Sequence, residues 1–326
     1  MKRLTTALAA TALLTLAACG GTNDKSASDG PWKYTDGRGE KISLESAPKK
    51  IVAQSSMAAA LQDLGVTGID AVFGPLKGAE GGVDRQADGL DPSALTDVTA
   101  GGEYGSIDLE ELASLGPDLV LTYQYLPKQL WYVNAGTQEK LEKLAPIAVL
   151  DFQGKTLVET LDAVEGLAVE LGAKPDSAKI KKGHEDFEAA SARLKKIGAE
   201  LGDRKVVAVS PAADVLYVSD PSKSPDLSYY VDDLDLPIVT PKNLKPADYF
   251  EALSWENADA YGGDIALYDA RVGKAGLKIF DDQPTWNAVP AGKNKAYVPW
   301  QSVAPPSYAA YAKIMNEIAD GFEKQL

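Results

Sequence analysis

Two glutamates, Glu110 and Glu256, stand at matched places in two similar stretches, "GSIDLEELASLGPDLVLTY" from Gly105 to Tyr123 and "LSWENADAYGGDIALYD" from Leu253 to Asp269. Each precedes an aspartate, Asp118 or Asp264, by eight residues, and both the glutamates and the aspartates recur 146 residues apart. In the first stretch Asp108 is placed to cap a helix with Glu111 three residues on, which puts Glu110 at the second helical position. In the second, Ser254 is the predicted cap and Glu256 takes that same position. Neither glutamate is needed for the cap, although a helix start favours acid in its first turn by ~0.3–1 kcal/mol. Recurrence assigns the pair a joint task, as two carboxylates on one face of the molecule, suited to bidentate pairing with arginines of a partner.

Other reactive groups are scarce. His184 is the only histidine and Cys19 the only cysteine, so no nitrogen or sulfur cluster for zinc or manganese can form, and axial haem ligation by histidine is disfavoured, though a tyrosine could serve. "QGKT" at Gln153 to Thr156 sits where a nucleotide-binding loop would, between a strand and a helix, but the glycine needed five positions before Gly154 is Val149. "SAPK" at Ser46 to Lys49 has serine–x–x–lysine spacing, yet it contains Pro48 and no Lys-Thr-Gly follows. These residues predict a protein that is not an enzyme and carries no cofactor.

The elements that must position the glutamates follow from patterning. At 326 residues with 45% hydrophobic content, the chain holds enough apolar material for two cores. Residues 1–18 read as a signal peptide, basic at Lys2 and Arg3 and then apolar but too short to span a membrane; Leu16-Ala17-Ala18-Cys19 resembles a lipobox with Cys19 as the lipidation site. Residues 19–31 are a flexible tether. A net charge of −14 excludes nucleic acid and adsorption to an anionic membrane surface, which leaves the lipid anchor as the only membrane contact. From residue 32 to 173, strands alternate with helices: a hairpin about Asp36-Gly37, "KKIVAQ", the helix "SSMAAALQDLG", "IDAVFGP", a long surface loop from Lys77 to Gly102, the helix at Asp108, "DLVLTY", a helix around Gln129 to Leu144, "IAVLDF" and "LVETLDAVEGLAVELG". Alternation of this kind predicts a parallel, doubly wound sheet. Residues 174–202 form one long helix, with Ile180, Phe187, Leu194 and Leu201 seven apart, Pro175 in its first turn and Gly202 at its end; its single His184 is read as a solvated helix residue. Residues 203–326 return to strands, "KVVAVS", "VLYVS", "LPIVT", "DIALYD" and "KAYVPW", with helices near Tyr229 to Leu234 and from Ser307 onward. The fold class is therefore α/β, two doubly wound lobes joined by a long helix, each lobe carrying one copy of the acidic repeat.

In five ordered motifs the chain resembles the class III periplasmic binding proteins, the siderophore, haem and cobalamin receptors of ABC importers: "YTDGRGEKISLESAPKKIVA", "AAALQDLGV", "IDLEELASLGPDLVLTY", "LSWENADAYGGDIALYD" and "PTWNAVPAGKNKAYVPW". Two departures are Lys50, where that family more often has arginine, and the length of the Lys77 to Gly102 loop. The resemblance implies an exported, lipid-anchored protein on the extracytoplasmic face, which docks Glu110 and Glu256 on a permease dimer driven by a separate ATPase. It also implies a ligand cleft between the lobes, just past the carboxyl ends of strands. The expected contacts are Gln54, Ser55, Tyr104, Tyr123, Tyr125 and Trp131 from the first lobe, and Tyr217, Arg271, Trp286, Trp300 and Gln301 from the second. Aromatics would enclose an apolar chelate while Arg271 bonds its metal-coordinating oxygens. A ferric siderophore is the expected ligand, with haem or cobalamin, or a sensor or adhesin role, as alternatives.

Overall fold

A computed structural model of the protein describes residues 30–78, 81–101, 104–245 and 248–326. The predicted signal peptide, Cys19 and most of the tether lie outside the described residues. The chain opens with the expected hairpin, β1 (Trp32–Thr35) against β2 (Lys41–Leu44). Gly37 in its turn is required by close approach: its N–H donates to Val149 O at 2.7 Å, and a Cβ would lie 2.4 Å from Asp151 N. The first lobe then runs β3 (Ile51–Gln54), α1 (Ser55–Asp63), β4 (Ile69–Phe73), β5 (Thr96–Asp97), α2 (Leu109–Leu115), β6 (Leu119–Leu126), β7 (Gln129–Leu130), α3 (Ala135–Leu141), β8 (Ile147–Asp151) and α4 (Leu157–Glu170). Its sheet has the order β5-β4-β3-β6-β7, with β8 also paired to β6. All of these pairings are parallel except β6 with β7, and the central strands are covered on both faces, which is why they read as unbroken apolar runs. The helix predicted around Gln129 to Leu144 starts only at Ala135, capped by Asn134. Pro127 and Lys128, the latter at φ 63°, turn the chain back so that Gln129–Leu130 pair with the end of β6.

α5 (Ala178–Leu201) joins the lobes; its 24 residues span ~36 Å at 1.5 Å each. Ser177 rather than Pro175 starts it, accepting the N–H of Ile180. Its apolar stripe is buried as the seven-residue spacing predicts, with Ile180 in the first lobe's core and Phe187, Leu194 and Leu201 in the second's. His184 is not merely solvated: Nε2 lies 2.8 Å from Glu165 of α4, and the ring sits 3.9 Å from that of Tyr308.

The second lobe runs β9 (Val206–Pro211), β10 (Leu216–Ser219), α6 (Pro225–Asp232), β11 (Phe250–Leu253), β12 (Ile265–Asp269), α7 (Gly273–Asp281), α8 (Pro284–Ala288), α9 (Pro290–Asn294), β13 (Tyr297–Trp300) and α10 (Tyr308–Glu323). The order is β11-β10-β9-β12-β13. β9, β12 and β13 are parallel as expected, but β10 and β11 are antiparallel to their neighbours. Only four residues separate β9 from β10, too few for a crossover, so a hairpin is the available connection. "LPIVT" yields a single bridge, Ile238 to Val206, in place of a strand.

The repeated aspartates perform one task twice. Asp118 Oδ2 accepts the N–H groups of Lys49 (2.8 Å) and Lys50 (3.0 Å), and Asp264 Oδ2 accepts that of Lys205 (2.8 Å). Each thereby ties the start of β6 or β12 to the start of the neighbouring central strand, β3 or β9. Glu110 is exposed in the first turn of α2, where Asp108 Oδ1 caps the N–H groups of Glu110 and Glu111. Glu256 is exposed too, but in a 3-10 turn over Trp255–Asn257 rather than the predicted helix. Asn257, Asp259 and Gly262-Gly263 are poor helix formers. The Trp255 indole N–H also draws this turn onto the carbonyls of Ala212 and Ala213, both at 3.1 Å. Both glutamates lie past the carboxyl ends of edge strands, β5 through the Asp108 N–H bond to Val98 O and β11 through Leu253. Asp118→Ala is expected to lower unfolding stability by ~1–2 kcal/mol through loss of two charge-assisted bonds, Asp264→Ala by less, and Glu110→Gln with Glu256→Gln by no more than the ~0.3–1 kcal/mol of the helix-start charge, as read by urea denaturation.

Candidate functional site

The carboxyl ends of the central strands of both sheets open on a cavity of about 790 Å³ between the lobes. Of the predicted contacts, Tyr104, Tyr123, Tyr125 and Trp131 from the first lobe, and Tyr217, Arg271 and Trp300 from the second, line it. Gln54, Ser55, Trp286 and Gln301 do not. The Gln54 carbonyl is spent on capping α1, accepting the N–H groups of Ser56 and Met57, while its amide donates to Ser55 Oγ. Trp286 is 1% exposed, stacks on Phe280 at 4.9 Å and donates its indole N–H to Tyr297. Gln301 folds back to donate to Val303 O.

The first-lobe wall is a continuous aromatic surface. It exists because β6 runs past Tyr123 to Leu126 and doubles back, bringing Trp131 over the strand end, where Trp131 N donates to Tyr123 O at 2.8 Å. Ring centroids of Tyr123 and Trp131 are 6.0 Å apart, those of Tyr125 and Trp131 5.3 Å, and those of Tyr104 and Trp131 6.1 Å. Tyr132, at φ 56°, holds this turn in a left-handed conformation, its N–H donating to the Tyr104 hydroxyl at 3.1 Å. Burial, and secondarily the proximity of Tyr125, pushes the Tyr123 phenol well above its ordinary range; burial and Asp226 do the same for Tyr125. Both therefore stay neutral.

The second-lobe wall carries the fixed charge. Arg271 follows β12 in a 3-10 turn, and Asp269 holds its guanidinium in a fork, Nε at 3.0 Å and Nη2 at 2.6 Å. Burial opposes the charge of Arg271, but Asp269 outweighs it and holds the guanidinium above its usual range. In the same lobe Asp226 is buried at the start of α6, which pushes its carboxyl up against the bonds it accepts from Ser224, Trp300 Nε1 (2.7 Å) and Leu227 N. Three lining residues bear a buried polar atom without a hydrogen-bond partner among the described residues: Trp131 Nε1, Thr160 Oγ1 and Ser302 Oγ.

Sequence reasoning missed Asp226, Tyr249, Phe250, Asp269 and Tyr311, which also line the cavity. Asp269 was adjacent to a named candidate, and its i to i+2 spacing from Arg271 is the signal that finds it. Nothing local marks Asp226, which arrives through the packing of α6. The long loop after Lys77, whose length departs from the family pattern, contributes no described residue to the lining. It packs on α10 instead, through ion pairs of Arg85 with Glu317 and Asp88 with Lys313. Among the described residues, no three His, Cys, Asp or Glu side chains are grouped to hold a metal ion, and no helix is long and apolar enough to cross a membrane.

A family model described as periplasmic binding protein matches residues 52–304. Among solved structures the chain is similar to DesE, a ferric-siderophore receptor protein from Streptomyces coelicolor, at 31% identity over 90% of this chain and 98% of that one, with a TM-score of 0.82. It shares the fold of the petrobactin-binding protein YclQ from Bacillus subtilis, at 15% identity, coverage of 90% and 99%, and a TM-score of 0.67. It also shares that of FhuD2 from Staphylococcus aureus, solved with bound ferrioxamine B, at 17% identity, coverage of 85% and 99%, and a TM-score of 0.62. No curated protein sequence matches the chain.

The tyrosines of the wall set a pH expectation. Because their folded-state values are raised, the stability they contribute is complete below the unfolded value near ~10 and is lost as pH rises beyond it. An alkaline absorbance titration should therefore show Tyr123→Phe with Tyr125→Phe removing no tyrosinate signal until the protein unfolds.

Proposed function

This chain belongs to the periplasmic binding protein family, built in the class III manner as two α/β lobes on one long helix, and we propose that it captures a ferric siderophore between those lobes for an ABC importer. The observation that carries the reading is the cleft itself, in which aromatic walls from both lobes face one forked guanidinium. Planar rings bury the organic body of a chelate, and Arg271 can bond the partly anionic oxygens that surround its iron. The 31% identity to a ferric-siderophore receptor supports the same ligand class.

Charge narrows the choice further. Arg271, Lys128 and Lys223 are matched by Asp220, Asp226 and Asp269 in the lining, so the cleft body suits a chelate of low net charge over a multiply anionic one. In a titration of tryptophan fluorescence, a ferric trihydroxamate is expected to quench saturably, with Trp131 in the wall as reporter, and ferric tris-catecholate, haem and cobalamin to bind more weakly. Arg271→Gln should reduce affinity ~10–100-fold, the effect of one hydrogen bond to a charged group, and Arg271→Lys should recover only part of it. Equal affinity across all four ligands would remove the basis for the siderophore reading.

Delivery extends the proposal. Glu110 and Glu256, both exposed and both past the carboxyl ends of edge strands, are positioned to meet arginines of a permease dimer, one per lobe. Export and acylation at Cys19 would hold the protein at the outer face of the cell membrane beside that permease, whose ATPase is a separate chain. Charge reversal at both glutamates should abolish siderophore-dependent uptake while chelate affinity stays within twofold, and Cys19→Ser should release the protein into the medium. Parallel loss of affinity would instead make the glutamates part of the fold or the cleft.

A further inference from the structure

A second cavity of about 320 Å³ adjoins the main cleft and shares seven lining residues with it as a common wall, Tyr125, Tyr249 and Lys223 among them. Tyr249 of the second lobe donates its hydroxyl to Tyr125 O of the first at 3.1 Å, so the partition is itself a contact between lobes. The volume is roughly ten times the ~30 Å³ that one water takes in the liquid, enough for a short organic arm. Its chemistry differs from that of the main cleft. The lining unique to it is the Gln153 to Thr156 segment with Ser222 and Ser228, all polar or glycine, and no carboxylate lines it.

Two cations do. Lys155 comes from the first lobe, between β8 and α4, and Lys223 from the second, in the turn before α6. Neither forms an ion pair among the described residues. The acid near Lys155 is Glu159, but its carboxylate is engaged by Thr156 N at 2.9 Å and Thr156 Oγ1 at 3.1 Å in the cap of α4. The "QGKT" segment thus lacks the glycine turn that encircles a phosphate yet still presents Lys155 as a point charge to this cavity.

We propose that this side chamber takes an anionic arm of the bound chelate, a carboxylate or a similarly charged end group, between Lys155 of one lobe and Lys223 of the other. The proposal rests on the reading of the main cleft as a chelate site. The tail then meets only positive charge, from Lys155 and from the Lys223 that the chamber shares with the cleft, whereas the body meets charges of both signs, so the protein selects among chelates with the same iron-binding core by the end group they carry. An ammonium end is disfavoured by the same two lysines.

The test compares two linear ferric trihydroxamates that share one iron-binding core, one ending in an ammonium and the other succinylated to end in a carboxylate. Both are titrated by fluorescence against the full chain at low and high salt. The carboxylate form is expected to bind ~10-fold more tightly at low salt, with the preference shrinking as salt is raised. Lys155→Gln with Lys223→Gln should bring the two affinities together, and Lys155→Arg with Lys223→Arg should keep the preference. Equal affinities in the unaltered protein, or a preference that survives the glutamine pair, overturn the proposal and leave the cleft reading standing. If neither chelate quenches, the cleft reading falls and this proposal with it. Inorganic phosphate serves as the free-anion control. Protection of Lys155 and Lys223 from acetylation by phosphate but not by the carboxylate-ended chelate would show an anion site unrelated to the chelate, and would likewise overturn it.

Discussion

The cleft depends on one constraint, the burial of a single apolar stripe that crosses from one lobe's core to the other's. Ile180 begins that stripe in the first core, and Phe187, Leu194, Ile197 and Leu201 continue it in the second. Each large side chain so buried contributes ~1.5–3 kcal/mol, and all of them lie on one rigid helix. Leu157 and Leu161 of α4, a first-lobe helix, are also part of the second core, and α10 returns along α5 to reach the first lobe through Ser307 and Asp63 and through Tyr308 and Asp162. A swing of one lobe on the other would have to open these contacts together. The gap between the lobes is therefore built into the fold before any ligand arrives, and ligand binding need not supply the cost of ordering it.

That rigidity explains how the walls can carry costly groups. Asp226 and Asp269 are buried carboxylates, each held by several donors, and the Asp269 fork fixes Arg271 in one orientation. A guanidinium so held loses little freedom when it meets a ligand oxygen. Across the gap, stacked and edge-on rings fix one another, with the strained Tyr132 backbone kept in place by the surrounding pairs. The unpaired donors on this surface are few, so a chelate seated there as proposed would be held mainly by shape and ring contact, with polar contact discriminating.

The acidic repeat separates into two kinds of residue that look alike in sequence. Its aspartates, Asp118 and Asp264, are joints within each sheet, whereas its glutamates are exposed and support no described backbone contact through their side chains. Such a division is what a duplicated half-molecule would show if the joint were kept for folding and the glutamate for an outside surface. The two copies have diverged around it, one as a capped helix and the other as a 3-10 turn anchored by Trp255.

Local rules reached most of the architecture. Alternating apolar runs marked the two sheets, seven-residue spacing marked α5 with its buried face, and Asp36-Gly37 marked the first hairpin, because these signals depend only on neighbours along the chain. The same rules picked Tyr123, Tyr125 and Arg271 as residues at strand ends. They could not tell that Gln54 would be consumed by a cap or Trp286 by a second core, since both outcomes depend on what packs against the side chain. Nor could they find Asp226, the β10–β11 ribbon, or the side chamber, where Lys155 and Lys223 meet from positions 68 residues apart. The sequence by itself determined the elements, the joining helix and the matched acids, through periodicity and capping. Which side chains share a cavity was decided by tertiary packing alone, because only the closing of two separately folded sheets on one helix brings those strand ends face to face.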